Sequence, residues 1–138
     1  MPVPRREARE RALSLLYEAE AKGVAPGELL AELPVPPDPF ASELVRGVGE
    51  RLAEIDALLA KHAIGWTPER MPAVDRAVLR MAAFELIALS DVPTAVVLSE
   101  AVELANAYST DESGRFVNGV LAAIAGEVRR GGADRPGG

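Results

Sequence analysis

The sequence predicts an all-α fold of about seven helices, and three observations carry that prediction. Hydrophobic residues make up 49% of the chain but aromatics only 4%, and alanine and leucine supply much of the apolar content, which favours helices over strands. Apolar residues recur three and four apart through most of the chain, and no segment alternates as a half-buried strand would. Glycine and proline punctuate these runs where helices must stop. At 138 residues the chain is the size of one domain, long enough to bury a core and too short for a catalytic domain with a separate binding domain.

The first helix spans about residues 4–22 and ends at Gly23, with Ala8, Ala12, Leu15, Leu16 and Ala19 facing the core. At about 100° per residue, Arg5, Arg6 and Arg9 share one flank with Leu13, and Tyr17 lies four residues beyond Leu13. That flank is basic at one end and apolar at the other. Pro26 opens a short second helix, and "PVPPDP" then imposes an extended connection. Asp38 is the expected N-cap of the next helix, with Pro39 at its first position. The apolar period from Phe40 to Leu59 predicts two helices broken near Gly47 and Gly49. Gly65 to Pro68 form a turn. Residues 74–90 are apolar around most of their circumference and belong at the centre of the fold.

"DVP" at 91–93 separates that helix from another over residues 96–108. The last helix contains Asn118-Gly119, a hairpin signal between alternating strands. Here Phe116, Val120 and Ile124 keep the helical period, so the pair sits inside a helix, with Gly119 permitting a close crossing. Ser109 and Glu112 fit a capping box at its start. Residues 131–138, "GGADRPGG", have nothing to bury and read as a disordered tail after a domain covering 1–130.

Chemistry is scarce. No cysteine is present, which excludes disulfides and thiolate metal sites and suits a reducing cytoplasm. No apolar run reaches the roughly 18 residues of a bilayer span. His62 is the single histidine and sits at a helix end beside a lysine, and Asp111 and Glu112 diverge around a helix rather than pairing. Neither glycine-rich phosphate loop occurs. No catalytic residue, cofactor or metal is expected, and non-catalytic binding is the better reading.

The charge distribution locates the binding. The chain carries a net charge of -6, yet four of its thirteen arginines fall in the first eleven residues against two glutamates, a local +2 that leaves -8 elsewhere. Such a chain cannot be a globally basic nucleic-acid binder; it can hold a local anion site beside an acidic body. Arg76 and Arg80, four apart on one helix, need an internal counter-charge, for which Glu85 is a candidate.

Four strings, "RREARERALSLLYE" at 5–18, "VDRAVLRMAAFEL" at 74–86, "VPTAVVLSEAVELANAY" at 92–108 and "ESGRFVNGVL" at 112–121, resemble in order and separation the blocks of the transcription antitermination factor NusB family. The resemblance covers residues 5 to about 128. It implies two packed helical bundles without catalytic activity that bind boxA RNA of nascent ribosomal RNA. The implied partner is NusE, the free form of a small-subunit ribosomal protein, and the assembly joins the RNA polymerase antitermination complex and suppresses premature termination.

Residue by residue, the resemblance implies RNA contact by Arg5, Arg6 and Arg9, whose guanidinium forks can grip phosphate and stack on bases. Tyr108 and Phe116 are the implied platforms for unpaired bases, with Glu112 and Asn118 close in sequence. Two readings stay open for Phe116, stacking or core, and two for Asn118, reading a base edge or satisfying helix-end groups. The implied NusE contacts are Leu13, Tyr17, Glu69 and Asp75, carboxylates suiting a basic ribosomal protein, while Asp75 could equally complement a helix dipole. The rival readings are a homodimer that buries the arginine face, and an accessory domain of RNA methylation, which fails for want of a glycine-rich cofactor loop.

Overall fold

The computed structural model describes residues 3–129, and the tail expected at 131–138 lies outside them. Seven α-helices follow in order: α1 (Arg5–Lys22), α2 (Pro26–Glu32), α3 (Pro39–Glu50), α4 (Leu52–His62), α5 (Ala73–Ala88), α6 (Thr94–Tyr108) and α7 (Asp111–Val128), with one 3-10 turn at Pro68–Arg70 before α5. There is no strand among the described residues. Helices α1, α2 and α3 pack as one group, α4, α6 and α7 as another, and α5 touches α1, α3, α4, α6 and α7. The apolar circumference of α5 explains its place: Val78, Leu79, Met81, Ala82, Ala83 and Leu86 are all buried, so both groups share one core.

Local chemistry sets the helix ends. Gly23 takes the left-handed conformation (φ 68°) that closes α1, and the Val24 amide donates to the Ala19 carbonyl at 3.0 Å. The Asp38 carboxylate accepts from the Phe40 amide at 2.9 Å with Pro39 at the first position of α3, as the sequence predicts. At α7 the cap is Thr110, whose hydroxyl accepts from the Ser113 amide at 3.1 Å. The expected box at Ser109 and Glu112 is displaced by one residue, because the Ser109 hydroxyl pairs instead with that of Ser113 at 2.9 Å.

The break between α3 and α4 comes at Arg51, beyond both glycines, which stay helical. Those glycines serve contact rather than termination. A Cβ on Gly47 would overlap the Phe84 ring of α5, and one on Gly49 would press on Pro26. Gly119 has open space around it, so the close crossing expected there is absent; the tight approach of α6 to α7 is at Gly114, over which the Asn106 carboxamide lies.

Ion pairs and one cap tie the helices together. Glu85 does not neutralise Arg76 and Arg80. Glu20 of α1 accepts from both, Asp56 of α4 accepts from Arg80 at 2.8 and 2.9 Å, and Arg76 also donates to the Pro68 and Met71 carbonyls at 2.8 and 2.7 Å. Glu127 of α7 accepts from Lys61 at 2.8 Å and meets His62 at 2.9 Å, fixing the end of α4. The buried Arg129 guanidinium donates to the carbonyls of Glu85, Leu86, Leu89 and Val92 at 2.6–3.1 Å. It thereby closes the C-terminus of α5 and adds a favourable charge at the negative end of that helix.

Two measurements check this packing. Gly47→Ala is expected to lower stability by about 1–3 kcal/mol by forcing a methyl into the Phe84 ring, while Gly119→Ala raises it by about 0.5–1 kcal/mol, both read by urea unfolding. Glu20 is held below its ordinary carboxyl value of 4.5, chiefly by the Arg76 hydrogen bonds. Its contribution is therefore complete above 4.5 and lost as pH falls through the lower folded value, so the stability gap between the wild type and Glu20→Gln should close on acidification.

Candidate nucleic-acid interface

The three arginines predicted to form one open patch point to three environments. Arg9 is 3% exposed, and its guanidinium is clasped by Glu85 of α5 in two parallel bonds, Nε to Oε2 at 3.0 Å and Nη2 to Oε1 at 2.7 Å. Its place on the helix is the cause. Arg9 lies seven residues from Leu16, hence about 20° from it around α1, on the edge of the buried face. The expectation that Arg9 stands open to solvent is therefore corrected.

Arg6 is half-exposed and donates Nη2 to Glu100 at 2.8 Å and to Glu103 at 2.6 Å, both on α6. Those bonds, the Glu100 bond foremost, raise the guanidinium above its ordinary pKa. Reciprocally, Arg6 foremost holds the Glu100 carboxyl below its ordinary value. Arg5 makes no carboxylate contact; its guanidinium stacks on the Phe40 ring, 3.9 Å from the centroid. Phe40 also underlies Arg9, at 5.3 Å. Arg6 and Glu103 pair in solvent, where water and salt screen their attraction, so a phosphate can replace the carboxylate at little cost. Arg9 cannot be exchanged that way without stranding a buried Glu85.

The aromatic candidates lie in separate recesses. Tyr108 is exposed, its hydroxyl donates to Glu10 at 3.0 Å, and that bond foremost raises its pKa. Together with Glu10, Leu13, Ser14, Tyr17 and Val74 it lines a groove of ≈ 340 Å³ between α1, α5 and α6. Leu13, expected as a partner contact, is buried and offers only the groove's floor, whereas Tyr17 is exposed. Phe116 is half-buried, packs against the core and meets the exposed Trp66 ring at 6.1 Å and 59°.

Trp66 and Phe116 wall a second recess of ≈ 380 Å³ that includes Glu112 and Asp75. Asp75, expected to face a partner, is 3% exposed; its Oδ2 accepts from the Ser113 hydroxyl at 3.0 Å and its Oδ1 has no partner. Any partner contact by Asp75 must therefore reach into the recess. Glu69 is exposed in the 3-10 turn, its carboxyl held below the ordinary value by its own backbone amide and then by Thr67. Asn118 is exposed on the opposite flank of α7 from Phe116 and lines a third, polar cleft against α6.

Among the described residues no group of three or more histidine, aspartate and glutamate side chains could hold a metal, and no helix is long and apolar enough to cross a membrane. Glu85, Glu100, Glu103, Phe40 and Trp66 complete these sites and escape a reading of the sequence, because each meets its arginine or aromatic partner across 31 or more residues except through the fold.

Residues 6–126 match the model of the NusB family. The chain belongs to the NusB family. It is 50% identical over 130 residues to the transcription antitermination protein NusB of Acidothermus cellulolyticus, covering 90% of this chain and 88% of the relative. To the same protein of Saccharopolyspora erythraea it is 52% identical over 129 residues, covering 88% and 86%. Its fold is similar to that of T. maritima NusB, with a TM-score of 0.82 at 36% identity over 92% of this chain and 94% of the other. It is also similar to a chain from the crystal structure of antitermination factors NusB and NusE in complex with dsRNA, with a TM-score of 0.75 at 33% identity, covering 88% and 95%.

Within this NusB-family fold, Glu85→Ala is expected to lose about 3–5 kcal/mol by leaving the Arg9 charge buried and unpaired. Arg9→Met combined with Glu85→Leu should cost much less. Chemical denaturation of the three proteins checks the pair, and equal losses in the single and double variants would contradict it.

Proposed function

We propose that the protein is a transcription antitermination factor that acts in the cytoplasm, binding boxA RNA of nascent ribosomal RNA together with NusE and suppressing premature termination within the RNA polymerase antitermination complex. The observation that carries this reading is the likeness, over most of both chains, to a NusB solved with NusE and RNA. In this reading Arg5 and Arg6 take phosphates, Arg5 from its seat on Phe40 and Arg6 by trading Glu103 for the nucleic acid. Arg9 acts through position, anchoring the turn of α1 that carries the other two.

Tyr108 and Phe116 supply stacking faces for unpaired bases, Glu112 borders the Phe116 recess, and Asn118 offers a carboxamide on the neighbouring flank. NusE, being ribosomal, is cationic, and the excess of -8 outside the first eleven residues attracts it. Tyr17, Glu69 and Asp75, with Leu13 beneath Tyr17, form the contact surface in this reading.

The test is fluorescence anisotropy of labelled boxA RNA with NusE present, across a salt series. Two phosphate contacts on a single strand give a log-log salt slope near -1.4. The Arg5→Ala and Arg6→Ala double variant should bind more weakly and lose about that much slope; unchanged affinity and slope would remove the arginines from the interface.

A further inference from the structure

Where α6 and α7 separate beyond Gly114 they leave an open cleft of ≈ 600 Å³. Its α6 wall is Ser99, Val102, Glu103 and Asn106, and its α7 wall is Asp111, Gly114, Arg115 and Asn118. Each set follows the spacing i, i+3, i+4, i+7, so each is a continuous stripe along one helix face. Elsewhere exposed charges find partners, as Lys22 does with Glu18 along α1 and Lys61 does with Glu127 between α4 and α7. Asn106, Arg115 and Asn118 are exposed, and no ion pair or hydrogen bond engages their side chains.

The cleft is also joined to the arginine end of α1, because Glu103 lines it and binds Arg6 at 2.6 Å. Gly114 shapes it: a side chain there would displace the Asn106 carboxamide, which lies directly over that glycine. Its lining disfavours a protein segment, since Val102 is the one apolar side chain in it and a docking helix would find little surface to bury. A nucleobase needs less, one apolar wall and a neighbouring donor and acceptor for its edge, and a carboxamide supplies both of the latter. A guanidinium beside it suits the adjoining phosphate.

We infer that this cleft takes one nucleotide of the bound single-stranded RNA, its base edge read by Asn106 and Asn118 and its phosphate held by Arg115. The inference rests on the RNA-binding reading above and extends it by two residues, Asn106 and Arg115, and by a direction: the strand passes from Arg6 across Glu103 into the groove between α6 and α7. Glu103 on α6 and Asp111 on α7 are acids on the two walls, so Arg115 is the one cationic side chain in the lining and the phosphate must reach it directly.

The experiment uses the full chain with NusE and boxA RNA, comparing Asn106→Ala, Asn118→Ala and Arg115→Ala with wild type over a salt series and an abasic scan of the RNA. Each carboxamide variant should weaken binding roughly tenfold. Arg115→Ala should flatten the log-log salt slope by about 0.7. One abasic position should weaken wild type yet cost the Asn106→Ala and Asn118→Ala proteins nothing further. These side chains are exposed, so thermal melting should match wild type, and Gly114→Ala, which shifts Asn106 without removing it, provides a second route to the same loss. Variants that bind RNA as wild type does overturn the inference, as do variants that lose NusE affinity while keeping that for RNA. A wild type that fails to bind RNA at all, with NusE present, would overturn the proposed function itself, a result distinct from selective failure at the cleft.

Discussion

The buried pair between Arg9 and Glu85 is the constraint on which the arginine-bearing end of the molecule depends. Two nearly inaccessible charges face each other in bidentate geometry, with Phe40 of α3 over the guanidinium and Glu100 of α6 3.8 Å away. Desolvating such a pair costs several kcal/mol per ion, and the mutual attraction offsets that only when the geometry is good. Any rotation or slide of α1 against α5 would leave two uncompensated charges in the core. The pair is thus poor as a source of net stability and strong as a fixer of register, joining four helices at one point.

What the register fixes is the direction of the neighbouring side chains. With Arg9 pinned inward, Arg5 lands one turn earlier on the Phe40 face, and Arg6 is turned towards α6, where Glu100 and Glu103 wait. Glu100 links the two layers, bonded to the exposed Arg6 and close to the buried Arg9. Burial therefore grades the arginines. The innermost is committed to structure, the middle one is held by contacts that water and salt weaken, and the outermost is oriented by an aromatic ring without being neutralised.

Much of this fold is legible in the sequence. The end of α1 at Gly23, the Asp38 cap, the centrality of α5 and the helical setting of Asn118-Gly119 all follow from spacing and local chemistry. Local signals misled where a residue had two possible uses. Gly47 and Gly49 look like a break but make room for Phe84 and Pro26, and nothing in the nearby sequence distinguishes those cases. Arg9 was legible in part: its angle around α1 places it beside Leu16, and only its charge argues for the surface. Its partner was not legible, since Glu85 lies 76 residues away and the separation of Arg6 from its acids is 94 and 97.

That grading changes how an arginine cluster should be weighed. Four guanidinium groups in eleven residues suggest four phosphate contacts, yet each carboxylate already in place subtracts from the field that a nucleic acid meets. Arg9 contributes nothing outward, and Arg6 contributes only after exchange, so the leading segment of α1 is a weaker anion site than its composition implies. A strand held there at useful strength needs contacts elsewhere. The acids that restrain Arg6 stand on the same helix as Asn106, and Arg115 across the cleft is bonded to no acid, although Asp111 lies one turn away on the same wall. In the RNA-binding reading proposed above, weak anchoring at one end and shape-dependent contacts along the groove favour a ligand that fits over one that is merely anionic, which is what an acidic protein must achieve to bind RNA at all.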